Sequence, residues 1–162
     1  MEKLSPQRRA WRTNPKIGSE AILSADFGES FIAYLLSKEG IDVVRANSVG
    51  FDLIAIDSDG KIFPKKRYIC ISVKTRVSKS SSKPRPIIPI GSEKLLKASR
   101  IWNADPWVGI VVGNVYRKAS NLEAFIFPLE DLSRLQGTSK RSDVVAVSEL
   151  YKNPTGRVVK LF

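Results

Sequence analysis

The chain has 162 residues, of which 43% are hydrophobic and 27% are charged. This length and balance are typical of one soluble domain with a sizeable core. Histidine is absent and Cys70 is the one cysteine, which excludes histidine-dependent nucleophiles, histidine-based nuclease sites and structural zinc sites. Any catalysis must therefore rest on carboxylates, lysine and a hard metal such as Mg²⁺ or Mn²⁺.

The sequence contains no run of about 18 apolar residues and no apolar segment behind its basic N-terminus. A single cysteine gives no sign of a disulfide framework. These features predict a cytoplasmic protein in a reducing environment.

The charge is unevenly distributed. The chain carries a formal net charge of +11, and residues 60–100 contain twelve Lys and Arg against Glu93 alone, so that the remainder is neutral. A surplus of this kind favours a polyanionic partner, with nucleic acid first and an anionic membrane second. The alternative is a solvated face of scattered lysines.

The first half of the chain predicts an arm, a helix and three strands. Residues 1–17 are basic and form the predicted flexible arm, and residues 18–162 form the predicted single domain. Apolar residues at Leu23, Phe27, Phe31 and Leu35 predict a helix over residues 18–39, which ends at Gly40. Three strands are predicted at residues 41–46, 51–56 and 68–74, the second of them buried on both faces and paired with the third in a hairpin.

The second half of the chain predicts a loop, two helices and three further strands. Residues 78–90 are rich in Ser, Pro and Lys and predict a mobile loop. Ser92 is the predicted cap of a helix that ends near Trp102. Strands are predicted at residues 108–112 and 124–127, a short helix at 128–132, and an edge strand at 158–162. The alternation of strands and helices predicts an α/β fold with a mixed β-sheet flanked by helices.

Three charged residues stand in apolar surroundings. Glu29 lies between Phe27 and Phe31, Asp52 interrupts a buried strand, and Lys74 ends the next strand. Because side chains alternate along a strand, Ser72 and Lys74 share one face. Pairing of the two strands would bring Asp52 and Lys74 to the same end of the hairpin, where a buried acid and base require each other or a metal.

These segments resemble the PD-(D/E)XK nuclease superfamily, most nearly its Holliday-junction-resolvase-like and small homing-endonuclease-like branches. The resemblance covers roughly residues 18–115 and is carried by Gly28-Glu29-Ser30-Phe31, Gly50-Phe51-Asp52-Leu53 and Ile71-Ser72-Val73-Lys74. It implies a restriction-endonuclease-like core and an endonuclease, acting as a homodimer on duplex or branched DNA. It also implies that Glu29, Asp52 and the Val73 carbonyl bind Mg²⁺ or Mn²⁺, and that Lys74 orients or polarises the attacking water.

The chain departs from the superfamily pattern at Ser72, where a second acidic residue is expected. A serine hydroxyl is a weak, neutral ligand, although the helix acid Glu29 can supply the missing carboxylate. One alternative is a catalytically inactive nucleic-acid-binding protein on the same fold, in which Ser72 replaces an acidic residue needed for activity. Another is a basic structural protein of a phage or ribonucleoprotein.

Each candidate also has a purely structural interpretation. Glu29 can be a solvent-facing helix residue, Asp52 a turn cap, and Lys74 with Arg76 a plain phosphate-binding edge. Trp102 and Trp107 can stack on bases or pack in the core, and Cys70 is expected to be a buried, inert thiol. The predicted contacts to the phosphate backbone are Lys65, Lys66, Arg67, Arg76, Lys79, Lys83 and Arg85.

Overall fold

The computed structural model describes residues 15–78, 87–116, 119–152 and 157–162. Lys79, Lys83 and Arg85, together with most of the predicted arm, lie outside these ranges. No helix among the described residues is both long and apolar enough to cross a bilayer.

The described residues form four α-helices and eight strands. The helices are α1 (Pro15–Lys38), α2 (Ser92–Trp102), α3 (Leu132–Leu135, after a 3-10 turn at Leu129–Asp131) and α4 (Val147–Lys152). The strands are β1 (Asp42–Ser48), β2 (Phe51–Ile56), β3 (Tyr68–Ser78), β4 (Ile87–Pro89), β5 (Asp105–Tyr116), β6 (Ala119–Pro128), β7 (Val144–Ala146) and β8 (Val159–Lys160).

Six strands form one mixed sheet in the order β1-β2-β3-β5-β6-β8, and β4 pairs with β7 in a separate small sheet. Within the large sheet, β3 and β5 run parallel and the other neighbours antiparallel. The parallel pair requires a crossover, which α2 supplies. The predicted α/β fold, a mixed sheet flanked by helices, is confirmed.

Hydrophobic clusters cover both faces of the sheet. Along β3, Ile69, Ile71 and Val73 join the cluster on the α1 side. Cys70 joins the cluster on the α2 side, which also contains residues of α3, β7 and α4. This alternation agrees with the predicted faces of the strand.

Helix α1 and strand β2 are buried in different ways, and the prediction that β2 is buried on both faces was wrong. The face of α1 that meets the sheet contains Gly28, Ile32 and Leu36, whereas Phe27 is 42% exposed and stacks on Phe31. In β2, buried and half-buried residues alternate, because α2 packs mainly over β3 and β5 and covers β2 incompletely.

Three local predictions also need correction. Helix α2 is not capped by the Ser92 side chain: the Asp143 carboxylate accepts hydrogen bonds from the backbone N–H groups of Gly91 and Ser92, both at 2.9 Å. Residues 87–89 of the predicted loop form strand β4 instead, because β7 provides a pairing partner. Helix α1 begins at Pro15, three residues before the predicted start.

Candidate active site

Asp52, Ser72 and Lys74 form one hydrogen-bonded chain. The Lys74 ammonium donates to Ser72 Oγ at 3.0 Å, and the Ser72 hydroxyl donates to Asp52 Oδ2 at 3.4 Å. Ser72 is 4% exposed, and Asp52 and Lys74 are half-buried. The sequence correctly placed Asp52 and Lys74 at the same end of the hairpin, and the structure shows that Ser72 connects them.

The end of the β2–β3 ladder produces this arrangement. Leu53 pairs with Ile71, and beyond this pair the strands are no longer paired backbone to backbone. The Asp52 carboxylate takes the place of a backbone acceptor, because its Oδ2 accepts the Val73 N–H at 2.6 Å. Asp52 thus ends the hairpin ladder and, in the same position, presents a carboxylate to Ser72.

Glu29 approaches the same end of the hairpin from the opposite face. A Cβ atom at Gly28 would lie 1.8 Å from Thr75 Oγ1, so only glycine allows α1 to pack this closely on β3. The Thr75 hydroxyl is buried and has no hydrogen-bond partner among the described residues. The neighbouring Glu29 is therefore held next to the strand segment that follows Lys74.

Glu29 is engaged by an arginine that the sequence analysis did not identify. Arg45 Nη2 donates to Glu29 Oε2 at 2.6 Å and to Asp26 Oδ1 at 3.0 Å. The Glu29 side chain is only 19% exposed, so it is neither simply solvent-facing nor bonded to the Asp52 chain. Because Arg45 lies on β1, 16 residues from Glu29, no local pattern could have indicated this pair.

The donor set at the site consists of oxygens. The residues described contain no group of three or more His, Cys, Asp or Glu side chains that could hold a metal ion. Asp52, the Ser72 hydroxyl and the Val73 carbonyl nevertheless belong to the ligand class that Mg²⁺ accepts, with one or two carboxylates and several retained waters. They fit a largely hydrated Mg²⁺ or Mn²⁺, whereas the Glu29 carboxylate, whose Oε2 accepts a hydrogen bond from Arg45, would have to be shared with Arg45 or released from it to join them.

The predicted phosphate contacts are divided between two ends of the sheet. Arg76 is exposed and lies two residues beyond Lys74. Lys65, Lys66 and Arg67 directly precede β3, whose first residue lies about 20 Å from Lys74 along the strand. Arg67 is also paired with Asp105 at 2.6 Å, so these three residues do not adjoin the candidate site.

Trp102, Trp107 and Cys70 lie in three different environments. Trp107 is 7% exposed and packs edge-on against Phe63, with ring centroids 4.9 Å apart. Trp102 is 52% exposed. Burial raises the pKa of the Cys70 thiol to about 11, so the thiol is protonated at neutral pH and is not a nucleophile.

Comparisons with known proteins found similarity to solved structures alone. No family model matches the chain, and no curated protein sequence matches it. Among solved structures, the chain is similar to Hjc, a Holliday junction resolvase from the archaeal hyperthermophile Archaeoglobus fulgidus. The identity is 18% and the TM-score 0.44, over 76% of this chain and 88% of that chain.

Proposed function

We propose that this protein is a metal-dependent DNA endonuclease with a PD-(D/E)XK-type site on a restriction-endonuclease-like core. The observation that carries the proposal is the chain from Lys74 through Ser72 to Asp52. It places a cation and a carboxylate at the open end of a hairpin, in a chain with a net charge of +11. Duplex and branched DNA both present the phosphodiester that such a site would attack.

Lys74 and Asp52 have different tasks in this proposal. In hydrolysis, a water oxygen bonds to phosphorus, the bond to the leaving oxygen breaks, and the water proton ends on the leaving alcohol. The Lys74 ammonium orients that water and stabilises charge on the phosphoryl oxygens. Asp52, the Val73 carbonyl and Glu29 would hold a divalent metal, which offsets phosphate charge and lowers the pKa of bound water.

Ser72 fixes the position of the Lys74 ammonium. An acidic residue at this position would pair with the lysine and offset its charge. The serine hydroxyl holds the ammonium through a neutral hydrogen bond and, unlike an acidic side chain, adds no second negative charge beside it. The cost is one fewer anionic ligand, which predicts weak metal binding and a requirement for high Mg²⁺ or Mn²⁺ concentrations.

The test is cleavage of labelled linear, branched and supercoiled DNA in low salt with Mg²⁺ or Mn²⁺. We expect metal-dependent cutting that Lys74→Ala and Asp52→Asn each reduce by at least about a hundredfold. Lys38→Ala is the matched control, since it removes the same charge from an exposed position at the end of α1. Equal cleavage by the Lys74 and Lys38 variants would contradict the assignment.

A second candidate is a nucleic-acid-binding protein without catalysis. Specific observations favour it: Asp52 Oδ2 accepts the Val73 N–H, and Arg45 occupies Glu29. Both acids then have structural partners and need no metal. In that case none of the DNAs is cut, and DNA binding in EDTA is the same for the wild type and for Asp52→Asn.

A further inference from the structure

A solvent-exposed indole packs against Phe51, the residue that precedes Asp52. Trp102 is the last residue of α2 and is 52% exposed. Its ring packs at 87° to the ring of Phe51, with centroids 5.7 Å apart. Phe51 is 1% exposed and directly precedes Asp52. The indole is thus held in a defined orientation, one aromatic ring away from the residue that ends the β2–β3 ladder.

The surroundings of Trp102 combine apolar surface with positive charge. Gly50 has a φ of +115°, and a Cβ there would lie 2.5 Å from the Lys94 carbonyl oxygen, so the β1–β2 turn packs directly on α2. This contact places Val49, which is 85% exposed, beside the helix. On α2 itself, Ile101 is 74% exposed. The exposed cations of the helix are Lys94, Lys97 and Arg100, against the single acid Glu93.

This combination matches the chemistry of an unpaired nucleotide. The cations suit phosphates, and every base offers a π-face that can stack on an indole at little cost in sequence preference. The bases of a continuous duplex are already stacked on one another, so their faces are not accessible to an indole side chain. A second copy of this chain would bring the same cations against each other, which disfavours self-association through this face.

We propose that Trp102, with Val49 and the cations of α2, binds an unpaired base of single-stranded DNA next to the phosphate at Lys74. The position of the base relative to the cut rests on the proposed function, but the binding itself requires no cleavage. The proposal therefore assigns this chain a preference for DNA with a single-stranded segment at the site. Duplex DNA would contact only the cations.

The experiment is a fluorescence anisotropy titration in EDTA, which prevents metal-dependent cleavage and thus keeps binding separate from activity. The probes are fluorescein-labelled oligo(dT) of about 16 nucleotides and a blunt duplex of the same length. The protein is the full chain, compared with Trp102→Ala, Trp102→Phe and Tyr34→Ala. Tyr34 is a matched control, because it is 59% exposed and lies beside Lys38, but belongs to α1 on the opposite face of the sheet.

Loss of one stacked base predicts that Trp102→Ala weakens oligo(dT) binding about fivefold to a hundredfold. Duplex affinity and the Tyr34 variant should change less than about twofold, and Trp102→Phe should keep most of the affinity. Equal losses for both DNAs, or none for either, would overturn the proposal. So would altered sedimentation of Trp102→Ala with unchanged oligo(dT) binding, which would make this face a protein interface. The Trp102→Phe variant keeps an aromatic ring against Phe51. It therefore separates a loss of binding from a loss of folding.

Discussion

Asp57 provides the sharpest test of how the candidate site is supported, because it anchors the β2–β3 connection. The residue is 1% exposed. Oδ1 accepts the N–H groups of Asp59 and Gly60 at 3.2 and 2.7 Å. Oδ2 accepts those of Ile62 and Phe63 at 2.8 and 3.0 Å. One carboxylate therefore organises the loop that joins the two strands carrying Asp52 and Lys74.

Asp57→Ala should lower the free energy of unfolding by about 3–5 kcal/mol. The Phe63 amide becomes a buried unsatisfied donor, at about 1–3 kcal/mol, and three further charge-assisted bonds are lost with partial replacement by water. Asp57→Asn should be damaging as well. An amide retains one acceptor oxygen, but its NH₂ group then faces two of the four N–H donors.

The pH dependence of the unfolding free energy provides a second test of the role of Asp57. Burial acts to raise the pKa of Asp57, but the hydrogen bonds from Ile62, Phe63, Gly60 and Asp59 outweigh it, and the net pKa is lowered. A folded-state pKa below the unfolded value means that the stabilisation is complete above the unfolded pKa, near 4. It is lost as the pH falls through the folded value. The stability difference between wild type and Asp57→Asn should therefore shrink below about pH 4.

The assay is urea denaturation followed by circular dichroism at pH 7 and at a series of lower pH values. Asp59→Ala is the control, because Asp59 lies in the same turn but is exposed. It should change the unfolding free energy by less than about 0.5 kcal/mol. A loss of under about 1 kcal/mol for Asp57→Ala would refute the assignment of Asp57 as the anchor of this loop.

Three further predictions concern the site and its supports. Ser72→Asp should lower the Mg²⁺ concentration for half-maximal cleavage about tenfold by adding a second carboxylate, measured by metal titration of the cleavage rate. Because Ser72 is 4% exposed, the same substitution should also lower the melting temperature. Arg45→Met should release Glu29 and lower the metal concentration needed for half-maximal cleavage; an unchanged metal requirement would show that Glu29 is not a ligand. Asp143→Ala should cost about 1–2 kcal/mol in urea denaturation, because it removes the cap of α2; Ser92→Ala, which removes no side-chain cap, is its control.

The sequence by itself determined the elements whose information is local. Apolar periodicity located α1, Ser92 marked the start of α2 although its side chain does not cap the helix, and an apolar run bounded by turn residues predicted β2 with its observed limits. Side-chain alternation placed Ser72 and Lys74 on one face of β3, and antiparallel pairing placed Asp52 at the same end. These predictions succeeded because each depends only on the period of the backbone and on the nearest strand in the chain.

The tertiary structure decided the contacts between residues far apart in the chain. It alone shows that Arg45 binds Glu29, that Asp143 caps α2, and that β4 pairs with β7. It also shows that α1 packs on β3 through Gly28, at a point where the Thr75 side chain leaves no room for a Cβ atom. Side-chain pairing and close packing depend on distances in space, which no periodicity along the chain encodes.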